Sequence, residues 1–135
     1  MKLASIRLVT NDFERLLSFY TLLSGVQAVR LAEEFAEVRL EGVVLAISSE
    51  RLIKQFSAGA AIAAANRSAI LEFQVDDVDS VLDRLSAAPV DLVMTPTVMP
   101  WGNRSTLLRD PDGNLVNVFS KPVSGAQVSA SGPAV

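Results

Sequence analysis

The side chains able to do chemistry in this sequence are few, and two stand in related places. Arg7 and Glu72 lie 65 positions apart, each in a segment where apolar residues alternate with polar ones. Arg7 offers a planar fork suited to a carboxylate, and Glu72 offers a carboxylate that could hold that arginine or take up a proton. Near them in type are Gln74 on the same alternating segment, Asn117 on a late one, and the closely spaced pair Trp101 and Arg104. The indole could form an aromatic wall and the guanidinium an anion or hydrogen-bond handle. These six, Arg7, Glu72, Gln74, Trp101, Arg104 and Asn117, are the candidate ligand-binding residues. Several also have a structural reading: Arg7 and Glu72 as a buried ion pair, Trp101 as a cap on a core edge, and Asn117 as a bond to a neighbouring strand. No catalytic residue is singled out.

What is missing narrows the chemistry further. The 135 residues include no histidine and no cysteine. That excludes disulfides, thiolate nucleophiles, Ser-His-Asp triads and metal sites that need imidazole or thiolate. The formal charge of −3, from 12 basic and 15 acidic residues, gives no reason to expect a phosphate backbone as partner. The start of the chain shows no charged-then-apolar leader, and no apolar run approaches the roughly 20 residues of a membrane span. A cytoplasmic location without nucleic-acid or membrane partners is the expectation. Half of the residues are apolar, enough for a proper core.

The elements that must position the candidates come as a repeated design. Residues 3–10 alternate, and Asn11-Asp12 then opens a helical pattern with Phe13, Leu16, Leu17 and Tyr20 on one face. Leu71, Phe73 and Val75 alternate with Ile70, Glu72 and Gln74, and Asp76-Asp77 opens a helix bearing Val78, Val81, Leu82 and Leu85. Shifting by 65 (77 − 12) carries Ile6 onto Leu71, Leu8 onto Phe73 and Phe13 onto Val78, and the helix starts coincide. If Leu71, Phe73 and Val75 pack under the second helix, Ile70, Glu72 and Gln74 take the other face, as do Ser5, Arg7 and Val9 in the first module. Tyr20, spaced with Leu16 and Phe13, reads as core; Asp12, Asp77 and Asp79 read as helix-start carboxylates.

Short β-prone segments follow each helix: residues 26–31, 35–40 and 43–48, then 92–95, 105–109 and 115–119. Glu41-Gly42 suits a tight turn, and Asp110-Pro111-Asp112-Gly113-Asn114 suits a hairpin, with proline presetting one bend and glycine the left-handed position. Leu115, Asn117 and Phe119 should share one side of the last strand. The expected organisation is a first βαβββ module at residues 1–48, a connector at 49–67, a second module at 68–120 and a poorly ordered tail at 121–135. The connector holds a possible helical turn at residues 51–56 and an alanine-rich run at 58–65, readable as linker or as dimer contact.

Taken together, Asn11-Asp12 with Phe19-Tyr20, the segment at residues 71–79, the run Trp101-Gly102-Asn103-Arg104-Ser105 and the hairpin at 110–114 resemble the vicinal oxygen chelate superfamily. This group includes glyoxalases, bleomycin-resistance proteins and extradiol dioxygenases, and the resemblance spans roughly residues 3–120. It implies an α+β fold in which two βαβββ modules form a cupped, mixed eight-stranded sheet with helices outside, a ligand cavity on the concave face, and a homodimer. Positions that hold metal ligands in such proteins correspond here to Ser5, Ile70 and Asn117. Isoleucine has no donor, and the other two are weak neutral ligands, so no metal and no cofactor are expected. A metal site rebuilt from Glu72, Glu37, Glu41 or Glu50 is the alternative. The resemblance therefore implies a small-molecule-binding protein without the usual metal. Two alternatives stay open: a lyase, isomerase or dioxygenase-like enzyme using Glu72 and Arg7 or an unusual metal site, and a dimeric structural or regulatory module whose cavity is filled.

Overall fold

A computed structural model describes residues 1–122. The described residues fall into two compact units: Met1–Asn66 forms the body of one, and Arg67–Asp110 with residues 114–122 forms the body of the other. The expectation of a poorly ordered tail falls, from residue 123 on, outside the described residues.

The first unit runs β1 (Ser5–Thr10), α1 (Phe13–Ser24), β2 (Val29–Ala32), β3 (Phe35–Arg39), β4 (Val44–Ser49) and α2 (Glu50–Phe56). The second runs β5 (Ile70–Gln74), α3 (Val78–Leu85), β6 (Asp91–Val98), β7 (Arg104–Arg109) and β8 (Leu115–Ser120). All eight expected strands are present, and they hydrogen-bond as two four-stranded sheets of order β1-β4-β3-β2 and β5-β8-β7-β6. In each, the first and last strands of the module are parallel and the other pairs antiparallel, so the fold is α+β with two βαβββ modules.

Local chemistry sets the helix limits. Asp12 caps α1 by accepting from the Arg15 N–H at 3.3 Å, and Gly25 ends it in the left-handed conformation (φ 69°), donating to the Thr21 carbonyl at 2.9 Å. Val26 N–H bonds to Ser24 Oγ at 3.1 Å, so the chain is still turning there. This is why β2 begins at Val29 and not at residue 26. Along α1 the residues Phe13, Leu16, Leu17, Phe19, Tyr20 and Leu23 are buried. Tyr20 is a core residue, 1% exposed and edge-on to Phe19 with ring centroids 5.0 Å apart. Each fully buried leucine of this stripe stabilises the fold by about 1.5–3 kcal/mol.

Strand limits follow the same logic. β6 extends past residue 95 through Pro96, which a terminal strand tolerates because its missing N–H leaves no inner ladder bond unmade. Its register slips twice, between Leu92 and Met94 and again before Thr97. The Asp110–Asn114 hairpin closes on itself: Asp110 N–H donates to the Asn114 carbonyl at 3.0 Å, and the Asp110 carboxylate accepts from Asn114 N–H and Nδ2 at 2.9 and 2.7 Å. Gly113 supplies the positive φ of 85°.

In the connector, Ser49 Oγ caps α2 by accepting from Leu52 N–H at 3.3 Å. Glu50 at the start of α2 reaches forward to accept the Ala63 N–H at 2.7 Å, closing the segment after the helix into a loop. That bond chiefly, with Lys54 beside it, holds the Glu50 carboxyl below its ordinary pKa.

The cap of α3 is the most heavily bonded. Asp77 accepts from the Ser80 hydroxyl at 2.6 Å and from the amides of Ser80 and Asp79 at 3.4 and 3.1 Å. The Ser80 bonds lead in holding its carboxyl below the ordinary range. A depressed carboxylate pKa contributes stability above the unfolded value, and that contribution is lost as pH falls through the folded value. Asp77→Asn keeps a capping oxygen without a titrating group. Its melting temperature should fall less steeply than wild type as pH is lowered from neutral into the acid range; parallel profiles would contradict the assignment.

Candidate functional site

Strand register sorts every side chain of the second sheet by face. β5 pairs with β8 as Ile70↔Leu115, Leu71↔Val116, Glu72↔Asn117, Phe73↔Val118 and Gln74↔Phe119. β7 pairs with β8 as Ser105↔Phe119, Leu107↔Asn117 and Leu108↔Val116. Leu71, Thr106, Leu108, Val116 and Val118 are buried on the α3 side, the last four with no exposure. Ile70, Glu72, Gln74, Leu107, Leu115, Asn117 and Phe119 therefore share the face turned away from α3. The expected alternation holds, and Glu72, Gln74 and Asn117 are brought together on one surface.

On that surface Asn117 Nδ2 donates to Glu72 Oε2 at 2.9 Å. One of the two amide N–H donors is thereby used, while the carbonyl oxygen Oδ1 is shielded from solvent with no hydrogen-bond partner. A shielded acceptor left unmade costs about 1–3 kcal/mol, so this oxygen marks a place where a donor is wanted. Beside it stand the other Glu72 oxygen and the apolar Ile70, which is 51% exposed. The surface offers acceptors framed by hydrocarbon, an arrangement suited to an N–H or O–H donor on a partly apolar molecule.

Arg104 lies elsewhere. It pairs in register with Ser120 and, through the guanidinium, with Asp79 of α3 at 3.1 Å, which puts it on the helix side of the sheet. Both partners are substantially exposed, so the pair contributes about 0–1 kcal/mol. Trp101 sits in the loop between β6 and β7, 36% exposed. That loop is tied by Met99 N–H to the Asn103 carbonyl at 2.7 Å and by Gly102 N–H to the Met99 carbonyl at 2.8 Å.

In the first sheet Arg7 pairs with Ala46, Val9 with Ser48, and Ser48 in turn with Phe35. These residues share the face turned away from α1, since Ala36, Val38 and Ile47 fill the opposite side, where Arg30 stacks on Phe13 and bonds Glu14 of α1. The Arg7 guanidinium carbon lies 5.3 Å from the centre of the Phe35 ring. Sequence reasoning missed Phe35 and Ser48. Phe35, Glu37 and Arg39 do alternate in the sequence, but alternation alone does not say which strand lies beside β1.

The positions corresponding to metal ligands do not suit a cation. Ser5 is exposed, Ile70 is hydrocarbon, and Asn117 offers only a neutral amide oxygen. Among the described residues no three acidic side chains gather as a group that could hold a metal ion, so Glu37, Glu41, Glu50 and Glu72 do not rebuild one there. This donor set does not fit a divalent metal.

The Glu72–Asn117 bond yields a test. Asn117→Asp sets a second carboxylate against Glu72, removes the donor and raises the shared pKa. A raised pKa makes the penalty full at neutral pH and relieves it as pH falls and one proton is shared. Urea unfolding should show a loss of roughly 1–3 kcal/mol at pH 7 that shrinks at pH 4. Equal stability to wild type at pH 7 would rule out the contact.

Comparison with known proteins places this geometry in a setting. Residues 2–118 match the family described as Glyoxalase/Bleomycin resistance protein/Dioxygenase superfamily. YraH of Bacillus subtilis (strain 168), described as an uncharacterized protein, is 29% identical over 127 residues, covering 88% of this chain and 98% of its own. A glyoxalase-related enzyme from Fulvimarina pelagi superposes with a TM-score of 0.78 at 25% identity, covering 100% of this chain and 97% of that one. A glyoxalase/bleomycin resistance protein/dioxygenase family enzyme from Burkholderia phytofirmans PsJN gives a TM-score of 0.75 at 19% identity, over 89% and 98% of the two chains, a likeness of fold alone.

Proposed function

The chain belongs to the glyoxalase/bleomycin resistance protein/dioxygenase superfamily, and we propose that this member binds a small organic molecule without a metal, on the face of the second sheet turned away from α3. The shielded, unpartnered Asn117 Oδ1 beside the Glu72 carboxylate carries this reading. A ligand group bearing N–H or O–H would satisfy both acceptors, and Ile70, Leu115 and Phe119 would receive its apolar part. Gln74, on the same face, adds an amide able to accept or donate.

The donor set at Ser5, Ile70 and Asn117 favours binding over metal chemistry. An enzyme reading keeps one specific support: Asn117 holds only one Glu72 oxygen, leaving the other able to take a proton from a bound substrate.

Native mass spectrometry of protein taken directly from cells tests the binding reading. A retained small molecule is expected on the wild type and not on Asn117→Leu, which removes both amide atoms. Retention by both proteins, or by neither, would count against this site.

We also propose a homodimer. Val29 and Leu31 on β2, and Leu92, Val93 and Val98 on β6, are exposed by 37% to 62% on strands at sheet ends, where apolar side chains are commonly covered by another chain. Sedimentation velocity at micromolar concentration should give twice the 14.4 kDa chain mass; a single monomer species would overturn this.

A further inference from the structure

We propose that the face of the first sheet turned away from α1 holds a carboxylate-binding subsite, with Arg7 as the anion contact, Phe35 as its platform and Ser48 as a second donor. Arg7 is exposed and its guanidinium is laid over the Phe35 ring at 5.3 Å, a contact that orients the fork without using its N–H donors. Within the first unit no carboxylate pairs with it. Glu37, which shares the face through its register with Ala46, is already bonded to Arg39 at 3.0 Å. A cation steadied by an aromatic ring and left with free donors is a receptor for a planar, two-oxygen anion. In a chain whose net charge is −3, that is a local feature and not a consequence of overall attraction.

Ser48 supplies the independent observation. Its side chain is fully buried, and its Oγ has no hydrogen-bond partner. The register sets it between Val9 and Phe35, two side chains that cannot serve it. An O–H donor with no other use thus lies beside the Phe35 platform, and Val9 and the ring receive the body of the molecule. The ligand class is therefore a carboxylate on an apolar or aromatic frame. This subsite stands on residues separate from the Asn117 surface.

Benzoate is the probe, with benzamide as its neutral isostere, followed by ¹H–¹⁵N NMR on the full-length protein. Benzoate should give saturable shifts of the Arg7 Nε–H and Ser48 amide signals, and benzamide should not. Arg7→Met and Arg7→Lys, the second keeping charge without the fork, should each weaken benzoate by about tenfold or more. Ser48→Ala should weaken it by a few-fold, while Asn117→Leu should leave it unchanged, separating this inference from the previous one. Equal response to benzamide, unaltered affinity in Arg7→Met or Ser48→Ala, loss of the response in Asn117→Leu, or tighter binding of inorganic phosphate than of benzoate would each overturn the proposal.

Discussion

The parallel pairing between the first and last strands of each module is the constraint from which the rest follows. A parallel pair cannot be joined by a tight turn, so the chain must leave the sheet, cross it and return, and α1 and α3 make those crossings. Once the helices occupy one face, the two-residue period of the strands assigns every side chain to the helix side or away from it. The register then decides which neighbours meet: Arg7 is set beside Ala46, and Glu72 beside Asn117. A slip of one residue in either pair would bury the charged side chains under a helix and expose the core set, and this gives the register its strength.

Much of this was legible in the residues. The 65-residue offset carries β1 onto β5, α1 onto α3 and cap Asp12 onto cap Asp77, because capping carboxylates and apolar periodicity are local signals that chemistry writes directly into sequence. The grouping of Glu72, Gln74 and Asn117 was legible too, since alternation fixes faces. What the residues could not convey was lateral placement. Arg104 was expected beside a ligand, yet its register with Ser120 turns it toward Asp79 on α3. Phe35 and Ser48 drew no attention because an aromatic at a strand start and a serine at a strand end look ordinary until β1, β4 and β3 are set side by side.

The two modules also show how one backbone slot can be given different chemistry. Arg7 and Glu72 occupy equivalent places, but their lateral neighbours have diverged. Ala46 beside Arg7 is too small to hold it, and support comes diagonally from an aromatic face. Asn117 beside Glu72 holds the carboxylate directly and is left with an unused oxygen. One support leaves donors free and the other leaves acceptors free, so the two sheets present opposite hydrogen-bonding characters on matching frames. That complementarity arises from two neighbour positions and needs no change of fold.

The clasp between Glu50 and the Ala63 amide bears on how the two units find each other as the chain folds. Chain closure costs entropy that grows with the number of intervening residues. The first unit ends at Asn66 and β5 starts at Ile70, so with the segment after α2 drawn back to Glu50 only residues 67–69 run between them. A shorter tether raises the local concentration at which one unit encounters the other. The alanine-rich stretch, which carries no charge of its own, thus acts as slack taken up by a single carboxylate.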